Sequence, residues 1–161
     1  VNDAAAIQAF ASTISVQPLG LVAYRPEDWA LPTMCFGNVI EKIRRSGGRL
    51  QPGWFFQCRA VEHLSGARYL IAVHHAVWHS TDGALLDLTP FHPDPKHRPY
   101  APGGNVLFLL DDKSPAVVKG NVIGPMPSRF SALDANEALS MYLQKLTVDE
   151  IARCSSLFAQ A

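Results

Sequence analysis

Residues 67–90, ARYLIAVHHAVWHSTDGALLDLTP, decide how the chain is read. An apolar run rich in β-branched and aromatic residues reaches Ser80, a Thr-Asp-Gly turn follows, and a second apolar run begins at once, which is the pattern of a β-hairpin. Outward from it, GWFFQCRAVEHL (53–64) precedes and NVLFLLDD (105–112) follows, both of the same strand-like composition. Four such runs separated by Gly, Ser, Asp and Pro predict an antiparallel sheet. FHPDPKHRPYAPGG (91–104) is too dense in proline for a central strand and reads as a loop.

Helical spacing flanks the strands. CFGNVIEKIRRSGG (35–48) puts Phe36, Val39, Ile40 and Ile43 on one face, with Thr33 ahead as the expected N-cap and Gly47-Gly48 as the stop. Cys35 then lies in the first helical turn. Residues 4–12 read as a short helix, and 15–33 as irregular chain broken by Pro18, Gly20, Pro26 and Pro32, with a strand at 21–24. Near the end, SALDANEALSMYLQKL (131–146) and TVDEIARCSSLF (147–158) read as two helices, the second opened by Thr147 and Glu150 in capping-box spacing. The first of these faces more often covers its own sheet than another subunit, and no feature fixes an oligomeric state. The expectation is one α+β domain over 1–161, a catalytic helix on an antiparallel sheet, with its core at about 21–112 and a C-terminal helical segment at 131–160.

Composition narrows the function. The chain has 161 residues, 48% of them hydrophobic, enough for a buried core. Lys plus Arg number 14 and Asp plus Glu 14, a balance that lacks the footprint of a phosphate-backbone binder, so no nucleic acid partner is expected. No apolar run approaches the roughly 20 residues that span a bilayer, and the N-terminal segment lacks a basic region ahead of its small apolar residues. No membrane partner and a cytoplasmic location are the expectation; a leader removed ahead of Val1, or a secreted-effector origin, stays open. Cys35, Cys58 and Cys154 form no CxxC pair and are odd in number, which argues against a disulfide framework.

Thiol catalysis needs a thiolate, which a helix N-terminus and a neighbouring imidazolium both favour over the ordinary thiol with its pKa of ~8.5. It also needs an acceptor that fixes the imidazole tautomer. Cys35 has the helix start, and the hairpin offers histidines and Asp87. A carboxylate inside the apolar run ALLDLTP is costly unless paired, so Asp87 calls for a partner. Strand alternation puts His75 with Val77 and His79 on one face and His74 with Ala76 and Trp78 on the other. A three-residue loop at 81–83 sets Val77 opposite Asp87 and makes His75 its diagonal neighbour; a two-residue loop at 82–83 favours His74. The strand pattern leaves both open.

Other residues have plainer readings. Cys58 and Cys154 read as structural, Asn38 as helix surface, His63, His74 and His79 as polar-face or rim residues, and Trp54 and Trp78 as core or cleft-wall aromatics. His75 and His79 lie ~13 Å apart along a strand, too far to share one ion's first shell. No metal or cofactor is expected.

The order of MCFGNVIEKIRRSGG (34–48), then Gly53-Trp54, then HAVW (75–78) and DGALLDLTP (82–90) resembles the transglutaminase-like branch of the papain-like cysteine enzymes, including small bacterial and phage-like members. It covers about residues 33–90. The resemblance implies a papain-like core with Cys35 as nucleophile, His75 as general base and acid, and Asp87 as the orienting acceptor. It breaks the tie between the histidines in favour of His75. It further implies an oxyanion site from the Cys35 N–H and an upstream donor, Trp29 first, with Gln51 and Gln57 behind it. Trp54 and Trp78 would flank the substrate. The chain is far shorter than the better-known transglutaminases and lacks their calcium-binding and β-sandwich additions. Hydrolysis or deamidation of a peptide, protein or small amide is therefore expected over cross-linking. The alternative is a catalytically silent domain that binds a peptide in an aromatic cleft.

Overall fold

In the computed structural model, which describes residues 3–159, the chain runs α1 (Asp3–Ile14), β1 (Leu19–Tyr24), α2 (Cys35–Ser46), β2 (Arg49–Val61), β3 (Ala67–His79), β4 (Leu85–Asp87), β5 (Val106–Leu110), β6 (Val117–Lys119), β7 (Val122–Gly124), β8 (Arg129–Ala132) and α3 (Glu137–Leu157). The expected spans reaching residues 1, 2, 160 and 161 lie partly outside the described residues. The protein is α+β, with a six-stranded mixed sheet and three α-helices, one of them C-terminal. β2 and β3 pair antiparallel from Arg49–His79 to Val61–Ala67. From β2 the order continues β5, β1, β4 and back to β3, so these five strands form a closed ring, and β8 adds to β3 outside it. Closure removes the free edges that five open strands would leave.

One pairing departs from the antiparallel expectation. β1 and β4 run parallel, with Ala23 opposite Leu86 and Tyr24 opposite Asp87. Parallel neighbours need a long crossover, and here α2 and the β2–β3 hairpin lie between them in the chain. The hairpin register cannot reveal this, because it concerns strands remote in sequence.

Both faces of β3 are covered, which is why its sequence is a near-continuous apolar run. α2 sets Phe36 and Val39 against Ala76, Trp78 and Leu88. α1 sets Ile7 and Phe10 against Trp54, Phe56 and Leu70. α3 places Leu139 and Leu143 on Tyr69 and Ile71. Val22, Val77 and Phe108, from three strands of the ring, pack together. Two glycines are required by this packing. A Cβ at Gly53 would lie 2.1 Å from the Leu109 carbonyl oxygen, where β2 and β5 meet, and one at Gly48 would lie 2.4 Å from the His79 oxygen.

The C-terminal segment differs from the two-helix expectation. Ser131 and Ala132 belong to β8, and a single 21-residue helix follows, capped by Asn136, whose side chain accepts the Leu139 N–H. Thr147 does not cap a new helix; its hydroxyl donates to the Leu143 carbonyl one turn back. Glu150 is taken by Arg153 and the Ser128 N–H, so the capping box never forms. At α2 the N-cap is Met34 rather than Thr33, with no side-chain cap. No helix among the described residues is long and apolar enough to cross a membrane.

Candidate active site

The His79–Leu85 and Trp78–Leu86 rungs, with Ser80 N–H donating to the Ala84 carbonyl, leave a three-residue loop of Thr81, Asp82 and Gly83. Gly83 takes φ +92°, the left-handed region that glycine enters without penalty. One rung further, Val77 faces Asp87, and His75 becomes its diagonal neighbour. The side chains meet: His75 Nε2 lies 3.0 Å from Asp87 Oδ2, both groups buried. Asp87 Oδ1 accepts the Thr89 N–H, so both carboxylate oxygens are engaged.

Cys35 opens α2 and shares a cavity of about 570 Å³ with His75 and Asp87. Nε2 of His75 belongs to Asp87, which leaves Nδ1 for the sulfur. Burial alone would push the His75 imidazole down; the nearby charges of Asp87 and Cys35, and the hydrogen bond to Asp87, overcome it and raise it well above the usual range. Its ring packs edge-on against Phe55. At the helix start the first N–H groups have no intrahelical acceptor, and they face the side on which negative charge is favoured. Thr33, two residues ahead of Cys35 and also on the cavity, sits at φ +67°, a rare conformation for a β-branched residue that costs about 1–3 kcal/mol.

His74 is not a rim residue; it is 2% exposed and fully engaged. Its Nε2 lies 2.6 Å from the Ser114 carbonyl oxygen and its Nδ1 accepts the Met126 N–H at 2.8 Å. Those partners fix a neutral ring with its proton on Nε2. Burial pushes its pKa down to about 4 against the pull of the Ser114 carbonyl, and the charge of His75 adds to the depression. Of the doublet, only His75 pairs with a carboxylate.

Asn38, read as helix surface, is buried. It donates to Thr89 Oγ1 and the Leu31 carbonyl and accepts the Leu31 N–H. One turn beyond Cys35, it ties α2 to the chain that leaves Asp87. Its spacing of three from Cys35 is the signal that places it on the same helix face. Arg59 also lines the cavity, and no motif marks it.

Of the other sequence-derived site residues, Trp29, Gln51, Trp54 and Trp78 lie apart from the cavity. The Trp29 ring carries the Arg45 guanidinium 4.4 Å from its centroid. Gln51 donates to Asp112 and the Pro52 carbonyl. Trp54 is in the core with its indole N–H on Asp111, and Trp78 donates to the Gly47 carbonyl. Gln57 does line the cavity, but its amide donates to the His97 carbonyl. Cys58 and Cys154 are free thiols whose pKa values burial pushes up. His79 is half-buried and His63 exposed. Among the described residues, no group of three or more His, Cys, Asp or Glu side chains is arranged to hold a metal ion.

Fold and site together define an α+β protein in which a helix-initial cysteine shares a cleft with a buried histidine–aspartate pair. No protein-family model, curated protein or solved structure matches the chain.

Proposed function

We propose that the protein is a thiol-dependent hydrolase of amide bonds, built on a papain-like core of the transglutaminase-like kind. The observation that carries this reading is the buried His75–Asp87 pair on the cavity that Cys35 lines from the first turn of α2. The Cys35 sulfur, as thiolate beside a protonated His75, attacks the amide carbonyl carbon. The tetrahedral oxyanion is met by the N–H groups at the start of α2. His75 gives its proton to the leaving amine as the C–N bond breaks, leaving a Cys35 thioester. A water then gives its proton to His75 as it attacks the thioester, and the collapsing intermediate releases the acid and expels Cys35 as thiolate, restoring the thiolate–imidazolium pair. Asp87 holds the ring and its charge throughout.

The reading assigns hydrolysis or deamidation over transfer to an amine. The test is incubation with a mixed synthetic peptide library and mass spectrometry of the products. Cleavage, or conversion of glutamine to glutamate, is expected with the wild-type protein and not with Cys35→Ala. Products that persist in Cys35→Ala contradict the thiol mechanism, and no product with either protein contradicts the reading and leaves the peptide-binding alternative.

A further inference from the structure

The face of the hairpin that bears His75 continues to Arg59. Phe55, Gln57 and Arg59 alternate along β2, opposite Val73, Ile71 and Tyr69. Arg59 is six residues along β2 from Gly53, the rung partner of His75. Its guanidinium turns back to Gln57, with Nη2 3.0 Å from Oε1. That sets the charge about 13 Å from the His75 rung at ~3.3 Å per residue.

Arg59 makes no ion pair among the described residues. Its Nε is buried without a hydrogen-bond partner. A guanidinium is always charged, and a half-buried one with an idle donor is costly until an acceptor fills the fork. Glu150, across the cavity, is already committed to Arg153 and Ser128 N–H. Two histidines flank the same end. His97 Nδ1 lies 2.6 Å from Arg59 Nη2, and His92 Nδ1 accepts the Asp94 N–H. With Nδ1 as acceptor, each ring carries its proton on Nε2, a further donor. The walls between this end and Cys35 are apolar, Ile71 and Val73 among them.

We propose that the cleft recognises a peptide through a carboxylate held by Arg59, with His92 and His97 beside it, roughly four extended residues from the amide presented to Cys35. One guanidinium and two neutral imidazoles match a single negative charge better than a phosphate dianion. The proposal deepens the amide-hydrolase reading and rests on it for the position of the scissile bond.

The test measures binding without chemistry. Fluorescein-labelled, alanine-based heptapeptides with one Glu moved position by position are titrated into Cys35→Ala protein, each beside its Gln twin. At one position the Glu peptide is expected to bind about ten-fold tighter than its twin. Adding Arg59→Gln should abolish that advantage while leaving the Gln twin's affinity unchanged. Arg59→Lys keeps the charge but lacks the Nε donor, and should lower the advantage several-fold. The proposal is overturned if no Glu position outperforms Gln, if the advantage survives in Arg59→Gln or is undiminished in Arg59→Lys, or if inorganic phosphate binds at Arg59 with no Glu preference. Because no nucleophile is present, a lost Glu preference reports on Arg59 alone, whereas absent turnover in the wild-type protein reports on the catalytic reading alone.

Discussion

His74 gives the fold an acid weakness whose size follows from its burial. The fold holds the ring neutral, with its pKa pushed down to about 4, whereas in the unfolded chain it titrates near its ordinary 6.5. Above pH 6.5 neither state carries the proton and His74 contributes no pH dependence. As pH falls below 6.5 the unfolded chain takes up a proton that the fold refuses, so stability declines until pH reaches about 4. At ~1.4 kcal/mol per pH unit for one proton, the loss over that window is about 3 kcal/mol. His74→Gln keeps a donor for the Ser114 carbonyl and cannot be charged, but gives up the bond from Met126, a cost of about 1 kcal/mol. Urea unfolding followed by circular dichroism at pH 7, 6, 5 and 4.5 compares the two proteins. Glu150, His97 and the other titrating groups occur in both and cancel in the difference. The wild type should be the more stable protein at pH 7, with the curves crossing at about pH 6 to 5 and the variant ahead below. Parallel losses in both proteins would refute the reasoning.

Three further outcomes follow from the same geometry. Gly53→Ala drives a Cβ to within 2.1 Å of the Leu109 carbonyl oxygen and 2.5 Å of the Phe108 ring. It should lower stability by about 3 kcal/mol or more, read as a fall in the urea midpoint. Asn38→Ala removes the link from α2 to Thr89, and should cost about 1–3 kcal/mol and slow alkylation of Cys35 in protein that is still folded; an unchanged labelling rate would make the link structural only. His75 has the opposite sign to His74: its raised value contributes stability that is fully present below pH 6.5 and is lost as pH rises through the raised folded value. Asp87→Asn should flatten that alkaline loss in the same urea series.

How much was legible depends on the range of the interaction. The helix at Cys35 and the hairpin follow from local rules: helical spacing, alternation and a glycine in the turn. Parity ties each loop length to one histidine but leaves the choice open, and the three-residue loop of the structure settles it for His75. The parallel β1–β4 pair and β8 were not legible because they take their register from strands remote in sequence, and β6 and β7, which pair with each other, were missed because three residues each carry too little pattern. The two-helix reading failed at Thr147 for a local reason: its hydroxyl satisfies the preceding turn, and the burial of Leu139, Leu143 and Cys154 holds the helix continuous across it. Trp29 lies six residues ahead of Cys35 in sequence, but its ring stacks on Arg45 rather than reaching the cavity. Arg59 was invisible because an arginine in a strand carries no signal until its carboxylate partners can be counted.

The most direct test of the account is the alkylation rate of Cys35 by iodoacetamide from pH 5 to 9, read by peptide-mapping mass spectrometry beside glutathione and beside the protein's own Cys58 and Cys154. At pH 6 the account predicts labelling of Cys35 at least about ten-fold faster than glutathione, lost in His75→Ala. Labelling no faster than glutathione, and indifferent to the loss of His75, would contradict it.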